Sequence, residues 1–81
     1  MSDRNSRLLR LQRVVRDVLD NPALVLDETS SSANVPDWDS VATVQIVLAV
    51  EEEFKIRLRT EEVAGATSVA AILDAVDAHS R

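Results

Sequence analysis

Apolar residues recur at helical spacing in four segments of the chain, and no segment shows the strict alternation that is typical of a strand. The first predicted helix runs from about Ser6 to Leu19, with Asn5 or Ser6 as its N-cap, and it ends at the DNP sequence of residues 20 to 22. Its apolar stripe consists of Leu8, Leu11, Val14, Val15 and Val18.

The second predicted helix begins at Asp39 or Ser40, since both residue types are preferred N-caps, and it ends at Phe54. A polar connection, PALVLDETSSSANVPDW (residues 22 to 38), precedes it and is longer than most loops in compact domains. Residues 27 to 34 are expected to lie in solvent. The loop residues expected to contact the core are Leu24, Val25 and Leu26.

Two further helices follow. A short third helix covers Thr60 to Ala64, with Thr60 as its cap, and it stops near Gly65. The fourth begins at Thr67 or Ser68 and carries Val69, Ile72, Leu73 and Val76 on one face. The pattern therefore predicts an all-α fold: a small four-helix bundle of three principal helices and one short helix, with a long loop between helices one and two.

The apolar residues of the second helix fall on two faces. One face holds Ile46, Val47, Val50 and Phe54. The nearly opposite face holds Val41, Val44 and Leu48, flanked by Glu51 and Glu52. A helix in so small a domain is rarely buried all round. The second face is therefore either an exposed strip that docks a partner with an apolar groove and a basic rim, or it is covered by residues 24 to 38. The helical wheel leaves both interpretations open.

Composition narrows the class of protein. A chain of 81 residues with no Cys predicts a single domain over residues 1–81, without disulfides and with a thin core, which favours a monomer. The net charge is -5, and the charges are unevenly distributed, because residues 1 to 19 carry +3 and the rest carry -8. An acidic body argues against nucleic acid as a partner.

The chain shows neither a signal peptide nor an apolar run of bilayer length, so we expect a cytoplasmic protein without membrane insertion. The residues predicted to face solvent on the first helix are Arg10, Arg13 and Arg16.

Ser40 lies at the start of the second helix without the groups that catalysis requires. The only histidine, His79, is expected in a frayed C-terminal tail, so no base would activate a nucleophilic serine. The lack of Cys and the single His argue against a zinc site, and the consecutive glutamates at positions 51 to 53 fan around a helix instead of forming a calcium loop. Gly65 is the only glycine, which excludes a Gly-rich phosphate loop.

Two roles therefore remain for Ser40: helix N-cap or site of covalent attachment. A phosphodiester there would meet the positive end of the helix dipole, which partly offsets repulsion from Asp37 and Asp39. Phosphorylation is a simpler modification, but it does not account for the apolar strip just downstream.

The sequence DSVATVQIVLAVEEEF, followed by KIRLRTEEVAGATSVAAILDAV, resembles the acyl carrier protein family closely over residues 37 to 77, and over the first helix and loop by length and pattern. The resemblance implies that Ser40, preceded by Asp39, carries 4'-phosphopantetheine transferred from coenzyme A. The cofactor's thiol would then hold acyl groups as thioesters on a non-catalytic carrier. The resemblance also favours an exposed second face on the second helix, since this helix contacts partner enzymes in the family. The matching positions here are Val41, Val44, Leu48, Glu51 and Glu52.

The partners implied are a phosphopantetheinyl transferase and acyl-loading and acyl-processing enzymes with basic docking patches. The chain departs from the usual family pattern in having Val41 after the serine in place of Leu, and Trp38 where a Gly is usual. Trp38 is interpreted either as an apolar plug that seals the loop or as a partner contact. Further departures are Ala42 and Gln45 in place of acids early in the helix, and the basic residues Lys55, Arg57 and Arg59.

These departures suggest a specialised free-standing carrier for a fatty-acid, polyketide or modified-lipid pathway. One alternative is a peptidyl or aminoacyl carrier, such as a D-alanyl carrier, that uses the same chemistry for a different cargo. The other is an interaction-only helical domain in which Ser40 is a helix cap.

Overall fold

Four helices make up most of the chain in the computed structural model, which describes residues 3–79. They are α1 (Asp3–Leu19), α2 (Ser40–Phe54), α3 (Thr60–Ala64) and α4 (Val69–His79). The all-α prediction is confirmed, and only the start of α1 differs, because its helical hydrogen bonding extends to Asp3 instead of beginning at Ser6. None of the described helices is long and apolar enough to cross a membrane.

The core lies between α1, α2 and α4, where the predicted apolar stripes meet. Full burial of one aliphatic side chain stabilises the folded state by about 1.5–3 kcal/mol, so these stripes are the main reason that the helices pack. The predicted face of α4 is buried along its length. The largest fully buried side chains are Leu11, Val15, Ile46, Val50, Val69, Ile72, Leu73 and Val76.

The loop between α1 and α2 lies partly on the core. Asp20, with φ of 52°, adopts a left-handed conformation that ends α1 where predicted. Leu26 is buried and Leu24 is half-buried, but Val25 is 75% exposed, so the prediction for Val25 was wrong. Neighbouring side chains in an extended segment point to opposite sides, which explains this difference.

Ser30 corrects the prediction that residues 27 to 34 lie in solvent, because it is buried. Its carbonyl accepts a hydrogen bond from the Val69 N–H at 2.9 Å, and the Ser32 N–H donates to the Thr67 carbonyl at 2.8 Å. An isolated β-bridge joins Ser31 and Ser68 at the same place. The loop therefore satisfies backbone groups at the start of α4, which buries Ser30 and half-buries Ser31. Residues 27 to 29 and 32 to 34 are exposed as predicted.

Two arginines near the start of α1 hold three elements together. Arg4 contacts Glu28 of the loop at 2.7 Å and both Asp74 and Asp77 of α4, and Arg7 also contacts Asp77 at 2.6 Å. Hydrogen bonds from Arg4 lower the pKa of the Glu28 carboxyl, while Glu28 and Asp77 in turn raise the pKa of Arg4. The basic opening helix is thus matched by acids of this same chain.

Two of the three arginines on the predicted solvent face of α1 are exposed, namely Arg10 and Arg13. Arg10 also contacts Glu53 at 2.9 Å and lies 4.4 Å from the ring centroid of Phe54. Arg16 is half-buried and donates a hydrogen bond to the Leu24 carbonyl. Long arginine side chains reach neighbouring elements in a way that a helical wheel does not represent.

His79 also differs from its prediction. It belongs to α4, is half-buried, and its Nε2 lies 2.9 Å from Oε1 of Glu62 in α3. The same carboxylate accepts a hydrogen bond from the Arg59 N–H, and this bond together with His79 lowers the pKa of Glu62. The prediction of Thr60 as the cap of α3 was wrong, because the N-cap is Arg59 and Thr60 is the first helical residue. Glu62 satisfies the backbone N–H of this cap.

Candidate functional site

Asp39 is the N-cap of α2. Its backbone is extended, and its Oδ1 accepts a hydrogen bond from the Ala42 N–H at 2.8 Å. Its carbonyl accepts from the Thr43 N–H at 2.9 Å. This is the geometry in which a short acidic side chain satisfies a free N–H of the first turn. Of the two caps that the sequence allowed, the structure selects Asp39.

Ser40 is the first residue of α2, and its side chain is exposed. Its hydroxyl makes no hydrogen bond to any residue from 3 to 79. The interpretation of Ser40 as the helix cap was therefore wrong, because Asp39 already fills that role. The hydroxyl stands in solvent at the end of the helix, where it is accessible to an enzyme.

Trp38 fixes the approach to α2 from inside the protein. Its side chain is 3% exposed, and its Nε1–H donates to Oγ1 of Thr43 at 2.9 Å. The interpretation as an apolar plug is confirmed, since so buried a ring has almost no surface to offer a partner. Asp37, with φ of 69°, makes the left-handed turn that sends the indole inward and leaves Ser40 outside.

Thr43 was not singled out from the sequence. It is buried, and its hydroxyl accepts from the Trp38 indole while donating to the Asp39 carbonyl at 3.0 Å. A threonine on the buried face of α2, five residues after a tryptophan, is the signal that could have indicated this network. Thr43 thus couples the plug to the residue that caps the helix.

The second apolar face of α2 is exposed. Val41 is 67% exposed, Val44 is 54% exposed and Leu48 is 61% exposed; we call these three residues the α2 stripe. The alternative, in which loop residues 24 to 38 cover this face, was wrong. The loop instead places its own apolar residues in the core, namely Leu26, Val35 and Trp38.

The glutamates at the end of α2 fan around its axis, as predicted, and they have three different environments. Oε2 of Glu51 accepts a hydrogen bond from the Leu58 N–H at 2.8 Å and so holds the segment after α2. Glu52 is exposed, and Glu53 contacts Arg10. Of these three glutamates, Glu52 is therefore the one that is exposed and forms no ion pair with any residue from 3 to 79.

The groups around Ser40 do not form a catalytic site. Its neighbours in sequence include the acids Asp37 and Asp39, and His79, the one histidine of the chain, contacts Glu62. Among residues 3–79, no cluster of His, Cys, Asp or Glu could hold a metal ion. What the site offers is a free hydroxyl, a helix N-terminus and an adjacent apolar stripe.

These features suit a phosphodiester on the serine. The first N–H groups of α2 have no partners within the helix, and the Asp39 side chain takes only that of Ala42. The positive end of the helix dipole therefore remains available to a negative group at Ser40. The exposed hydroxyl leaves room for a long substituent to extend into solvent.

Comparisons with known proteins agree with this geometry. A family model described as "Phosphopantetheine attachment site" matches residues 10–76, a range that includes most of α1 and all of α2 and α3. Among solved structures, the chain is similar to the solution NMR structure of the holo acyl carrier protein from Geobacter metallireducens. The two share 26% sequence identity with a TM-score of 0.79, and the match covers 89% of this chain and 83% of that one.

Proposed function

The chain belongs to the acyl carrier protein family of phosphopantetheine-bearing proteins, and we propose that Ser40 is its attachment site. This proposal rests on one observation: the two residues at the start of α2 have different roles. Asp39 caps the helix, so the exposed Ser40 hydroxyl has no structural task among residues 3–79. A residue that is accessible and structurally dispensable is suited to modification.

A protein of this family is a carrier and not an enzyme. The 4'-phosphopantetheine group supplies a thiol on which acyl groups are held as thioesters. This chain contains no Cys, so it has no competing thiol of its own. The Ser40 oxygen is the proposed acceptor: it forms a bond to the phosphorus that bears pantetheine in coenzyme A, the P–O bond of the pyrophosphate breaks, and adenosine 3',5'-bisphosphate leaves. The serine proton passes to a base that the transferase supplies. Asp39 is proposed to keep the hydroxyl in place through the cap.

Carriers of this type are modified by a phosphopantetheinyl transferase and interact with other enzymes. We propose that these enzymes dock on the α2 stripe, and that Glu52 supplies a carboxylate for a basic patch on the partner. Glu51 is proposed to contribute mainly by positioning, because one of its oxygens holds the Leu58 N–H. Exposed apolar residues on a small protein commonly mark such contacts.

The proposed cargo is an acyl intermediate of a fatty-acid, polyketide or modified-lipid pathway. The basic segment after α2 supports a specialised carrier with its own set of partner enzymes. We also propose that residues 1–81 form one domain and that the protein acts as a cytoplasmic monomer. A three-residue stripe is small beside the roughly 800 Å² per partner of a stable interface, which supports the monomer.

The test of attachment is incubation with coenzyme A, Mg²⁺ and a permissive phosphopantetheinyl transferase, followed by intact-mass measurement. The native chain should gain one phosphopantetheine, and Ser40→Ala should gain none while keeping its helical circular dichroism. A known carrier is loaded in parallel as the positive control. A folded native chain that gains no mass would leave an interaction-only helical domain.

The test of cargo begins from the loaded protein. Acyl-loading enzymes of fatty-acid and polyketide type should form a thioester on the arm, detected as a second mass gain that neutral hydroxylamine removes. An adenylating enzyme that activates D-alanine or another amino acid should not. Transfer of an amino acid in place of an acyl group would assign the chain to the aminoacyl carriers.

A further inference from the structure

The α2 stripe ends in a shallow groove with charges of both signs. Leu48, the last residue of the stripe, lines this groove together with Glu51, Glu52, Ile56 and Arg57. Arg57 is exposed and forms no ion pair with any residue of the part of the chain that the structure describes. Its guanidinium is therefore available to a partner that covers Leu48.

The charge near the stripe is negative at the serine end and of both signs at the other end. At the serine end, the exposed carboxylates of Asp37 and Asp39 precede the helix. At the other end, Glu52 and Arg57 share one groove, while one oxygen of Glu51 is occupied by the Leu58 N–H. A partner that covers the whole stripe therefore faces carboxylates at the serine end and both a carboxylate and a guanidinium at the Leu48 end.

We propose that Arg57 determines which enzymes the α2 stripe accepts. The enzyme that loads or processes the acyl group on this chain has a docking rim of mixed sign, basic where it faces Asp37, Asp39 and Glu52 and carrying a carboxylate where it faces Arg57. This inference rests on the proposed function of the chain as a carrier. A uniformly basic rim would place a cation against the Arg57 guanidinium, and like charges across an interface select against such a partner.

The test measures phosphopantetheine transfer by a permissive transferase whose docking rim is uniformly basic. The substrates are the native chain, Arg57→Gln, Arg57→Glu and the control Arg13→Glu. Arg13 is exposed on α1, so its reversal changes the net charge of the chain by the same amount away from the stripe. All four proteins should keep the same helical circular dichroism, since both arginines are on the surface.

Charge reversal at Arg57 should raise kcat/KM for this transferase by about three- to tenfold, with Arg57→Gln in between, because repulsion is replaced by attraction. Arg13→Glu should stay within about twofold of the native chain. Salt at 0.5 M should remove most of the gain, since exposed charges are screened over a few ångströms at that ionic strength. Equal rates for Arg57→Glu and Arg13→Glu, or a slower rate for Arg57→Glu, would overturn the inference.

A second experiment tests the carboxylate of the partner. Basic rim residues of the transferase are replaced one at a time by Glu, and each enzyme is assayed with the native chain and Arg57→Glu. At least one of these enzymes should modify the native chain faster than Arg57→Glu, the reverse of the preference of the unchanged transferase. A double-mutant cycle measures this coupling between the two positions. Additive effects at every rim position would contradict a direct pairing. If the native chain gains no phosphopantetheine at all, the proposed function fails first; loading without discrimination at Arg57 defeats only this inference.

Discussion

Replacing Asp39 and Ser40 separately by Ala distinguishes the residue that caps α2 from the residue that is proposed to carry phosphopantetheine. Asp39→Ala removes the acceptor of the Ala42 N–H bond at 2.8 Å and should cost about 1 kcal/mol of unfolding free energy. Ser40→Ala removes an exposed hydroxyl with no hydrogen bond among residues 3–79, so its cost should stay within about 0.5 kcal/mol. For a domain of this size, 1 kcal/mol shifts Tm by about 4–8 °C.

The assay is thermal unfolding of the apo forms followed by circular dichroism, with urea unfolding to obtain the free energies. Asp39→Asn is the matched control, because its amide oxygen can still accept the Ala42 N–H and should preserve most of the stability. Loss of phosphopantetheine transfer should follow the opposite order, complete in Ser40→Ala and partial in Asp39→Ala. If Ser40→Ala destabilised the protein as much as Asp39→Ala, the reasoning that frees the serine from a structural role would be refuted.

Three further substitutions test the buried hydrogen bond, the core packing and the ion pair that hold the helices and the loop together. Thr43→Val leaves the buried Trp38 indole N–H without its acceptor and should cost about 1–3 kcal/mol, read from the fluorescence of this only tryptophan during urea unfolding. Leu73→Ala opens a cavity at a fully buried position and should cost about 2–5 kcal/mol in the same assay; a loss below 1 kcal/mol would contradict the packing. Glu28 has a folded-state pKa below its ordinary value of 4.5 because of Arg4, so its contribution to stability is present above that value and is lost as pH falls through the lower, folded pKa. Glu28→Gln should therefore make the acid-induced loss of Tm shallower than in the native chain, and an unchanged pH profile would argue against the ion pair.

The helices and the two faces of α2 could be predicted because their signals are local. Apolar spacing places Ile46 and Val50 on one side and Val44 and Leu48 on the other, and the structure buries the first pair and exposes the second. Whether the second face stays exposed depends on where the loop lies. The helical wheel left that open, and the structure answers it, because the loop buries Trp38 in the core and leaves Val44 and Leu48 exposed.

The features that sequence reasoning missed depend on contacts between distant parts of the chain. The burial of Ser30 comes from backbone bonds to the start of α4, and His79 is held by Glu62, a residue 17 positions earlier. Neither contact has a periodic signature. The choice between Asp39 and Ser40 as cap was open for a different reason, because both residue types cap helices well and only the backbone geometry distinguishes them.

The most direct test of the central claim is to locate the phosphopantetheine on the loaded native chain by peptide mass spectrometry. Trypsin releases residues 17 to 55 as one peptide, and it contains Ser30, Ser31, Ser32 and Ser40. Fragmentation within this peptide distinguishes the serines, because Ser40 is separated from the others by the sequence ANVPDWD. We predict that every fragment that contains Ser40 carries one phosphopantetheine before neutral loss, and that fragments ending before it carry none. The group on any other residue, or no modified peptide from a folded sample whose control carrier is loaded, would contradict the claim that Ser40 is the attachment site.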